Sequence, residues 1–208
     1  MIYIKRKKYP LPESIDKIFR NGRVLLNEFY SQPIESLKQQ RLSQDRNISK
    51  EISNYMRSST VKDLLFSTFN GKCAYCESPV NEVSSSISID HFRPIKSARG
   101  LMNQFDHLHY GWLAFEWENL YSSCRFCLTV KGNNFPVRGE RAPYSLPLKG
   151  VRDLEEPLII DPCYINPQLH ISFNADGSVT GITEEEIYTI ETLHLNRLEL
   201  KRNRLLVI

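Results

Sequence analysis

The chain has 208 residues, of which 41% are hydrophobic and 25% are charged, a balance that is typical of a packed globular chain and excludes an intrinsically disordered one. No run approaches the roughly 20 apolar residues of a membrane span, and the amino-terminal segment lacks the apolar stretch of a signal peptide. We therefore expect a cytoplasmic protein with reduced thiols and no membrane partner.

Charge is concentrated in one segment, although the formal net charge is only +3. Between His91 and Arg152 the sequence has nine lysines and arginines against four acidic residues. A basic segment of this kind suits a phosphate-rich substrate. The alternative, an ordinary solvated face, stays open on charge alone.

The amino-terminal part, residues 11–69, is predicted to be helical. Its last helix has Val61, Leu64, Leu65 and Thr68 on one face. Thr60 and Asp63 resemble a capping box at its start, and Gly71 is placed to end it.

The central part alternates short strands and helices. Residues 86–90 predict a strand with Ile87 and Ile89 facing inward. Residues 109–117 predict a buried short helix, whose aromatic residues we expect in the core rather than as base-stacking platforms. Residues 119–124 predict a second strand, and the helix that follows is expected to end at Gly132.

The carboxy-terminal part begins with a proline-rich stretch, residues 134–167, that predicts an extended, packed arm. Residues 170–183 predict a β-hairpin with Asp176 and Gly177 at its turn. Residues 183–204 predict one final helix, with its acidic residues at the amino-terminal end and its basic residues at the carboxy-terminal end.

Four of the five cysteines form two CxxC pairs, Cys73 with Cys76 and Cys124 with Cys127. Two such pairs predict a four-thiolate zinc site, which is structural because tetrahedral zinc then has no open position. A redox role is disfavoured because the pairs lack a thioredoxin-like βαβ context. The fifth cysteine, Cys163, is interpreted as a buried or incidental thiol.

Asp90 and His91 stand at the end of the first predicted strand, where side chains are held firmly yet exposed. An aspartate beside a histidine offers a metal ligand together with a general base. Phosphodiester hydrolysis needs both, because the attacking water loses a proton and the leaving oxygen is stabilised by a cation. The dipeptide alone is weak evidence.

The motifs that surround this dipeptide carry a family resemblance. In chain order they are GKCAYC, SIDHFRP, WENLYSSCRFC and KGNNFP. Together they resemble the HNH nuclease family, and more narrowly the PtuB nucleases of Septu and retron-associated antiphage systems. The specific match covers roughly residues 60–136.

The resemblance implies a zinc-stabilised ββα-metal fold and a role for each of four residues. His91 would be the general base, and Asp90 would bind a catalytic divalent ion, magnesium above all. Asn119 would hold the loop that carries His91. Lys131 would contact a phosphate or the transition state.

One position departs from the family pattern, because Leu128 stands where a second metal ligand, histidine or asparagine, usually follows the fourth cysteine. Leucine cannot bind magnesium, and three explanations stay open. Asn133, Asn134 or His109 substitutes for the ligand; the ion is held by Asp90, substrate phosphate and water; or this copy is a weak or inactive nuclease.

The expected architecture is α+β. It comprises a helical region at residues 1–70, the HNH core at 71–136, and an arm, hairpin and helix for partner docking at 137–208. The resemblance implies a PtuA-like ATPase partner and, in retron versions, a reverse transcriptase with its RNA–DNA product. The expected substrate is nucleic acid, with DNA favoured over RNA. The alternative is a zinc-stabilised nucleic-acid-binding or adaptor subunit without catalysis.

Overall fold

The computed structural model describes residues 1–6, 10–80, 87–102 and 104–206. It combines helices with small two-stranded sheets, as the α+β prediction requires. Ser86, the first residue of the predicted strand at 86–90, lies outside the described residues.

The amino-terminal part is helical, as predicted. Its longest helix buries one apolar stripe that includes Phe19 and Leu26, in keeping with helical spacing. Asp45 caps the third helix, where its carboxylate accepts hydrogen bonds from the backbone N–H groups of Asn47 and Ile48. The helices are α1 (Glu13–Tyr30), α2 (Ile34–Leu37), α3 (Arg46–Arg57) and α4 (Ser59–Thr68), with a 3₁₀ turn at Leu42–Gln44.

The start of α4 differs from its prediction. The cap is Ser58, whose hydroxyl accepts from the backbone N–H of Val61 at 3.4 Å, and Thr60 is already inside the helix. Gly71 follows the end of the helix at a φ of +67°, and its N–H donates to the carbonyl of Phe66 at 2.8 Å. A left-handed residue of this kind suits glycine.

Two strands and a helix form the centre of the molecule. β1 (Ile87–His91) pairs antiparallel with a second strand, Leu120–Cys124, so that Asp90 lies opposite Tyr121. The helix Arg125–Lys131 follows at once and ends at Gly132. The predicted order of strand, strand and helix is therefore observed.

Between these two strands the chain forms a small hairpin of β2 (Ala98–Arg99) and β3 (Phe105–Asp106). The strand Leu120–Cys124 is thus β4, and the helix Arg125–Lys131 is α5. The helix predicted at 109–117 is wrong, because that stretch instead forms 3₁₀ turns at Gly111–Leu113 and Trp117–Asn119. Its aromatic residues Trp112 and Phe115 are nevertheless buried, as expected.

The carboxy-terminal part contains more regular structure than the predicted extended arm. A short helix, α6, lies within it, and the predicted hairpin is present with Gly177 at a φ of +77°. The elements are β5 (Val137–Arg138), α6 (Leu148–Leu154), β6 (Glu156–Pro157), β7 (Ser172–Phe173), β8 (Val179–Thr180), α7 (Glu184–Thr192) and α8 (Leu198–Leu205), with a 3₁₀ turn at Pro167–Leu169.

The single final helix predicted at 183–204 is two helices, α7 and α8. Asn196 lies in the break between them and makes both side-chain hydrogen bonds to Val179 of β8, accepting from its N–H at 2.7 Å and donating to its carbonyl at 2.8 Å. His194 turns the chain at a φ of 48°. A tertiary contact with the hairpin therefore overrides a helical sequence pattern.

One continuous cluster of buried side chains runs from Met1 to Leu200 and joins all three segments of the chain. Aromatic residues are prominent in it, including Phe19, Tyr55 and Phe115. Within the described ranges, no helix combines the length and the apolar character that crossing a bilayer requires.

Candidate metal centre and catalytic cleft

The structure brings together the four cysteines of the two CxxC pairs. The sulfur atoms of Cys73, Cys76, Cys124 and Cys127 all lie within 4.8 Å of one another. Sγ of Cys76 is 3.8 Å from Sγ of Cys124, which is about the edge of a tetrahedron with zinc–sulfur bonds near 2.3 Å. The cluster could hold a metal ion such as zinc.

Hydrogen bonds donated by backbone N–H groups fix the shape of this cluster. The N–H of Cys73 donates to the carbonyl of Ser78, and the N–H of Ala74 donates to the carbonyl of Ser122 on β4. The N–H of Cys127 donates to Sγ of Cys124, which caps α5. The first CxxC turn is therefore joined to the strand and helix that carry the second. Cys163 is not among the clustered cysteines.

His91 lies at the carboxy-terminal end of β1, on the wall of a cleft of about 380 Å³. The residue is only 7% exposed. Burial and the charges of Lys131 and Lys96, opposed by a hydrogen bond to the Ala114 backbone, lower the pKa of His91 to about 3. The ring is therefore neutral near pH 7, the state in which it can accept a proton.

Tyr55 of α3 contacts the imidazole of His91. The Tyr55 hydroxyl donates to the carbonyl oxygen of Ala114 at 2.7 Å, and its oxygen lies 2.7 Å from Nε2 of His91. Because the single hydroxyl hydrogen is used on Ala114, the tyrosine oxygen accepts from Nε2–H. This assigns the proton to Nε2 and leaves Nδ1 as the basic nitrogen.

Asn119 holds the backbone directly after His91. Its Oδ1 accepts from the N–H of Arg93 at 2.8 Å, and its Nδ2 donates to the Arg93 carbonyl at 3.0 Å. The Asn119 carbonyl also accepts from the N–H of Phe92 at 2.8 Å. These contacts fasten the backbone after His91 to Asn119, and the role of Asn119 in a catalytic site stays a prediction.

Lys131 at the end of α5 is fully buried. Its Nζ lies 2.9 Å from Oδ2 of Asp90 and donates to the backbone carbonyl of His91 at 2.9 Å. It is not among the residues that line the cleft, so its predicted contact with a phosphate stays a prediction. In this structure Lys131 joins α5 to the end of β1.

Asp90 is 5% exposed and lines the cleft beside His91. Its Oδ2 accepts from the Tyr75 hydroxyl at 2.5 Å as well as from Lys131. Burial and the charge of Asp90 raise the pKa of Tyr75 well above its ordinary value, so Tyr75 remains a donor. A lysine and a tyrosine therefore both contact one oxygen of this buried carboxyl group.

The second ligand position is occupied by Leu128, which lines the cleft with its apolar side chain. Of the three suggested substitutes, Asn133 lines the same cleft as Asp90, whereas Asn134 donates from Nδ2 to the Val130 carbonyl at 3.4 Å. His109 is packed among aromatic rings, 5.1 Å from the ring of Trp112.

These residues offer oxygen donors of the kind that magnesium prefers. Among the described residues that line the cleft, Asp90 is the one carboxylate and Asn133 the one amide. Magnesium commonly takes one or two carboxylates together with substrate phosphate and water. The cleft thus presents two side chains with oxygen donors, Asp90 and Asn133, and Asp90 is already paired with Lys131.

Tyr55 and Tyr75 are site residues without a predicted role, although Tyr75 lies inside the GKCAYC motif. Tyr55 lies 36 residues before His91 in a polar stretch of sequence. Its spacing from Ile48, which is also buried in α3, is the one local signal. That spacing predicts burial of Tyr55 but does not identify its partner.

The chain is similar to Septu proteins of two Bacillus species. It is 38% identical over 151 residues to Septu protein PtuB of Bacillus mycoides (strain KBAB4), covering 70% of this chain and 50% of that protein. It is 29% identical over 140 residues to Septu protein PtuB of Bacillus thuringiensis, covering 67% of this chain and 42% of that protein.

A third similarity is to Septu protein PtuA of Bacillus mycoides (strain KBAB4), at 36% identity over 130 residues, which are 62% of this chain and 18% of that protein. The chain thus spans half or less of the length of each of these relatives. No protein-family model matches the chain. Over the matched residues, the chain is therefore a PtuB-like relative of the Septu proteins.

Proposed function

We propose that the chain is a nuclease subunit of a Septu-type antiphage defence system and that its β1–β4–α5 unit is an HNH centre of the ββα-metal type. The reaction is hydrolysis of phosphodiester bonds in nucleic acid, DNA above RNA. The observation that carries the proposal is the position of His91, which lines a cleft together with Asp90 and has Nε2 2.7 Å from the Tyr55 hydroxyl oxygen.

In the proposed mechanism, Nδ1 of His91 takes a proton from water as the water oxygen attacks phosphorus. The bond from phosphorus to the leaving oxygen breaks, and that oxygen takes a proton from solvent. Tyr55 keeps the imidazole in the required tautomer, and Asn119 keeps the following backbone in place. Lys131 holds the His91 carbonyl and Asp90 together.

A divalent ion, magnesium above all, would be held by Asp90 with Asn133 beside it at the cleft. When bound, it would supply positive charge to the leaving oxygen and the phosphate. Zinc at the four cysteines would be structural, since four thiolates leave no position open for substrate.

The test is a cleavage assay with plasmid DNA and total tRNA side by side, using the full chain with a PtuA-like ATPase and magnesium. His91→Ala should lower the cleavage rate about 100- to 10,000-fold, the usual contribution of a general base. His194→Asn is the control, because His194 is exposed, lies away from the cleft, and has a left-handed φ that asparagine tolerates. Unchanged cleavage in His91→Ala would contradict the mechanism.

A nucleic-acid-binding or adaptor subunit without catalysis is the second candidate. The apolar Leu128 in the ligand position and the pairing of Asp90 with Lys131 favour it, since both weaken a divalent site. Calorimetric titration of the zinc-loaded chain with magnesium separates the two candidates. Binding that is lost in Asp90→Asn supports the nuclease, and absence of binding with intact nucleic-acid affinity supports the adaptor.

The proposed partner is a PtuA-like ATPase, since relatives named PtuA and PtuB come from the same strain. In a retron-associated version, a reverse transcriptase and its RNA–DNA product would join them. The proposed docking surfaces are the exposed apolar side chains of the amino-terminal and carboxy-terminal regions, among them Val24, Ile34, Leu198 and Leu205.

Deleting either region would remove part of the shared core, so surface substitutions test docking more cleanly. Glutamate at those four positions should abolish co-purification with the ATPase. The control is Met102→Glu, which places the same charge on an 82% exposed residue of the central region. Co-purification that survives the fourfold change would locate the partner elsewhere.

A further inference from the structure

Three planar side chains lie together on the hairpin of β2 and β3, and we call them the hairpin stack: Arg99, Phe105 and His107. Cζ of Arg99 is 4.7 Å from the centre of the Phe105 ring. The imidazole of His107 is inclined by only 22° to that ring, at a centroid separation of 6.3 Å. All three side chains are exposed, Phe105 to 49%.

The hairpin stack is fixed to the rim of the catalytic cleft. The N–H of Arg99 donates to the carbonyl of Asn133 at 2.8 Å, and the Arg99 carbonyl accepts from Phe135 at 3.0 Å. Asn133 itself lines the cleft with His91. A platform on this hairpin therefore keeps a set position relative to His91.

The side chain of Arg141 also anchors strand β2. The guanidinium of Arg141 donates to the carbonyls of Ala98 at 3.3 Å and Phe135 at 3.0 Å. These hydrogen bonds fix the backbone of β2, so the exposed side chains of the hairpin extend from an anchored strand.

Charge near the hairpin stack suits a polyanion. Lys96 is exposed and lines the cleft, and Arg99 is exposed and lies over the Phe105 ring. One carboxylate, Asp106, follows Phe105 and accepts from the N–H groups of Leu108 and His109 and from the Tyr144 hydroxyl, so its hydrogen bonds are made within the protein. One cation thus lines the cleft, and a second lies over the Phe105 ring of the hairpin.

We propose that the hairpin stack binds an unpaired nucleobase of the nucleic acid whose backbone enters the cleft. Aromatic rings and arginine planes bind the faces of bases that are splayed out of a helix. Base pairs within a duplex keep their faces stacked on one another. The favoured substrate is therefore a single strand, loop or bulge. The inference rests on the proposed function and specifies the substrate of the same site.

The test measures binding without cleavage. The zinc-loaded full chain, with no magnesium added, is titrated into a fluorescently labelled single strand of about 12 nucleotides, within the range of known single-strand sites. A duplex of the same sequence is titrated in parallel. Phe105→Ala should weaken single-strand binding about 5- to 100-fold, Phe105→Trp should preserve it, and duplex binding should be weaker and nearly unchanged by either substitution.

The chain offers a matched control. Phe173 on β7 is 54% exposed and has Cζ of Arg204 5.5 Å from its ring, but it does not line the cleft. Phe173→Ala should leave single-strand binding unchanged. Both phenylalanines are exposed, so each variant is expected to keep the unfolding temperature of the parent, which is measured alongside.

Three results would overturn the inference. They are unchanged single-strand affinity in Phe105→Ala, equal loss in Phe173→Ala, and a loss that affects only binding of the ATPase partner. The outcome is separable from that of the nuclease proposal. Base binding by Phe105 with no cleavage would remove the nuclease alone, whereas cleavage with normal binding in Phe105→Ala would remove the hairpin stack alone.

Discussion

At the scale of single residues, the hydrogen bonds of Tyr55 bear on the tautomer of His91, on which its proposed role as a base depends. A histidine is a useful base only when the nitrogen facing the substrate lacks a proton, and the other nitrogen needs a buried acceptor. Tyr55 provides that acceptor because its own hydrogen is committed to Ala114. A side chain from the amino-terminal helices thus completes a site whose motifs lie in the central region.

Tyr55→Phe is predicted to disturb the tautomer of His91 and to slow cleavage about tenfold or more. The loss can reach that size because a correctly positioned general base contributes about 100-fold or more to the rate. Losing the hydroxyl also leaves a buried carbonyl and Nε2–H without this partner, at a cost of about 1–3 kcal/mol. Nitrogen-15 shifts of the His91 ring report the tautomer directly, independently of activity.

The control for this substitution is Tyr164→Phe, which removes a hydroxyl from a 57% exposed side chain. It should change neither the ring shifts of His91 nor the unfolding midpoint. If Tyr55→Phe kept the parent nitrogen-15 shifts, Tyr55 would be a packing residue only.

At the scale of elements, α1 packs closely on the segment that carries Ala114. A Cβ atom at Gly22 would lie 2.4 Å from the ring of Phe115. That ring in turn packs edge-on against Tyr55, with centroids 5.5 Å apart. The absence of a side chain at Gly22 therefore lets α1 approach the aromatic cluster behind His91.

Gly22→Ala is predicted to lower the free energy of unfolding by about 1–3 kcal/mol, because overpacking forces Phe115 to shift. Urea unfolding measures the change. Asn21→Ala, at the exposed neighbouring position of α1, is the control and should be neutral or slightly stabilising, since alanine favours helix. Equal stability of Gly22→Ala and its parent would mean that Phe115 moves freely.

At the scale of the whole molecule, the four-cysteine cluster connects segments that are far apart in sequence. Cys73 and Cys76 follow the amino-terminal helices, whereas Cys124 and Cys127 join β4 to α5. The carboxy-terminal Arg197 lies beside the cluster. Burial alone would lower the pKa of Arg197, but a hydrogen bond with Cys76 and the charges of the cysteines raise it above its ordinary value. Loss of the metal should therefore affect all three segments together.

Cys127→Ser is predicted to lose zinc and cooperative folding. Structural zinc contributes about 10–16 kcal/mol in small domains, which matches or exceeds the total stability of a typical protein. Cys163→Ser is the matched control and should retain zinc, because Cys163 lies outside the cluster. Elemental analysis and thermal unfolding give the result. A folded Cys127→Ser variant with no zinc would show that the ion is dispensable.

Features with a local cause could be predicted from the sequence. The CxxC spacing follows from the reach of two thiolates to one ion, and the strand–strand–helix order follows from alternation and from the glycine after α5. The hairpin turn at Asp176 and Gly177 depends on the left-handed conformation that glycine allows. The division of the chain into three regions stays a prediction.

Features whose cause lies far away in the sequence could not be predicted. The break between α7 and α8 depends on Asn196 binding β8, and α6 lies in a stretch whose prolines indicated an extended arm. The burial of Lys131 depends on Asp90, 41 positions away in the sequence. No local pattern encodes such pairs.

The sequence by itself determined the pairing of the four clustered cysteines and the place of Asp90 and His91 at the end of a strand, because CxxC turns and strand geometry act over a few residues. Only the tertiary structure decided the contact of His91 with Tyr55, the engagement of Lys131 and the packing of Arg99 on Phe105. The physical reason is that hydrogen bonds and charge pairs depend on distance in space, which packing alone fixes.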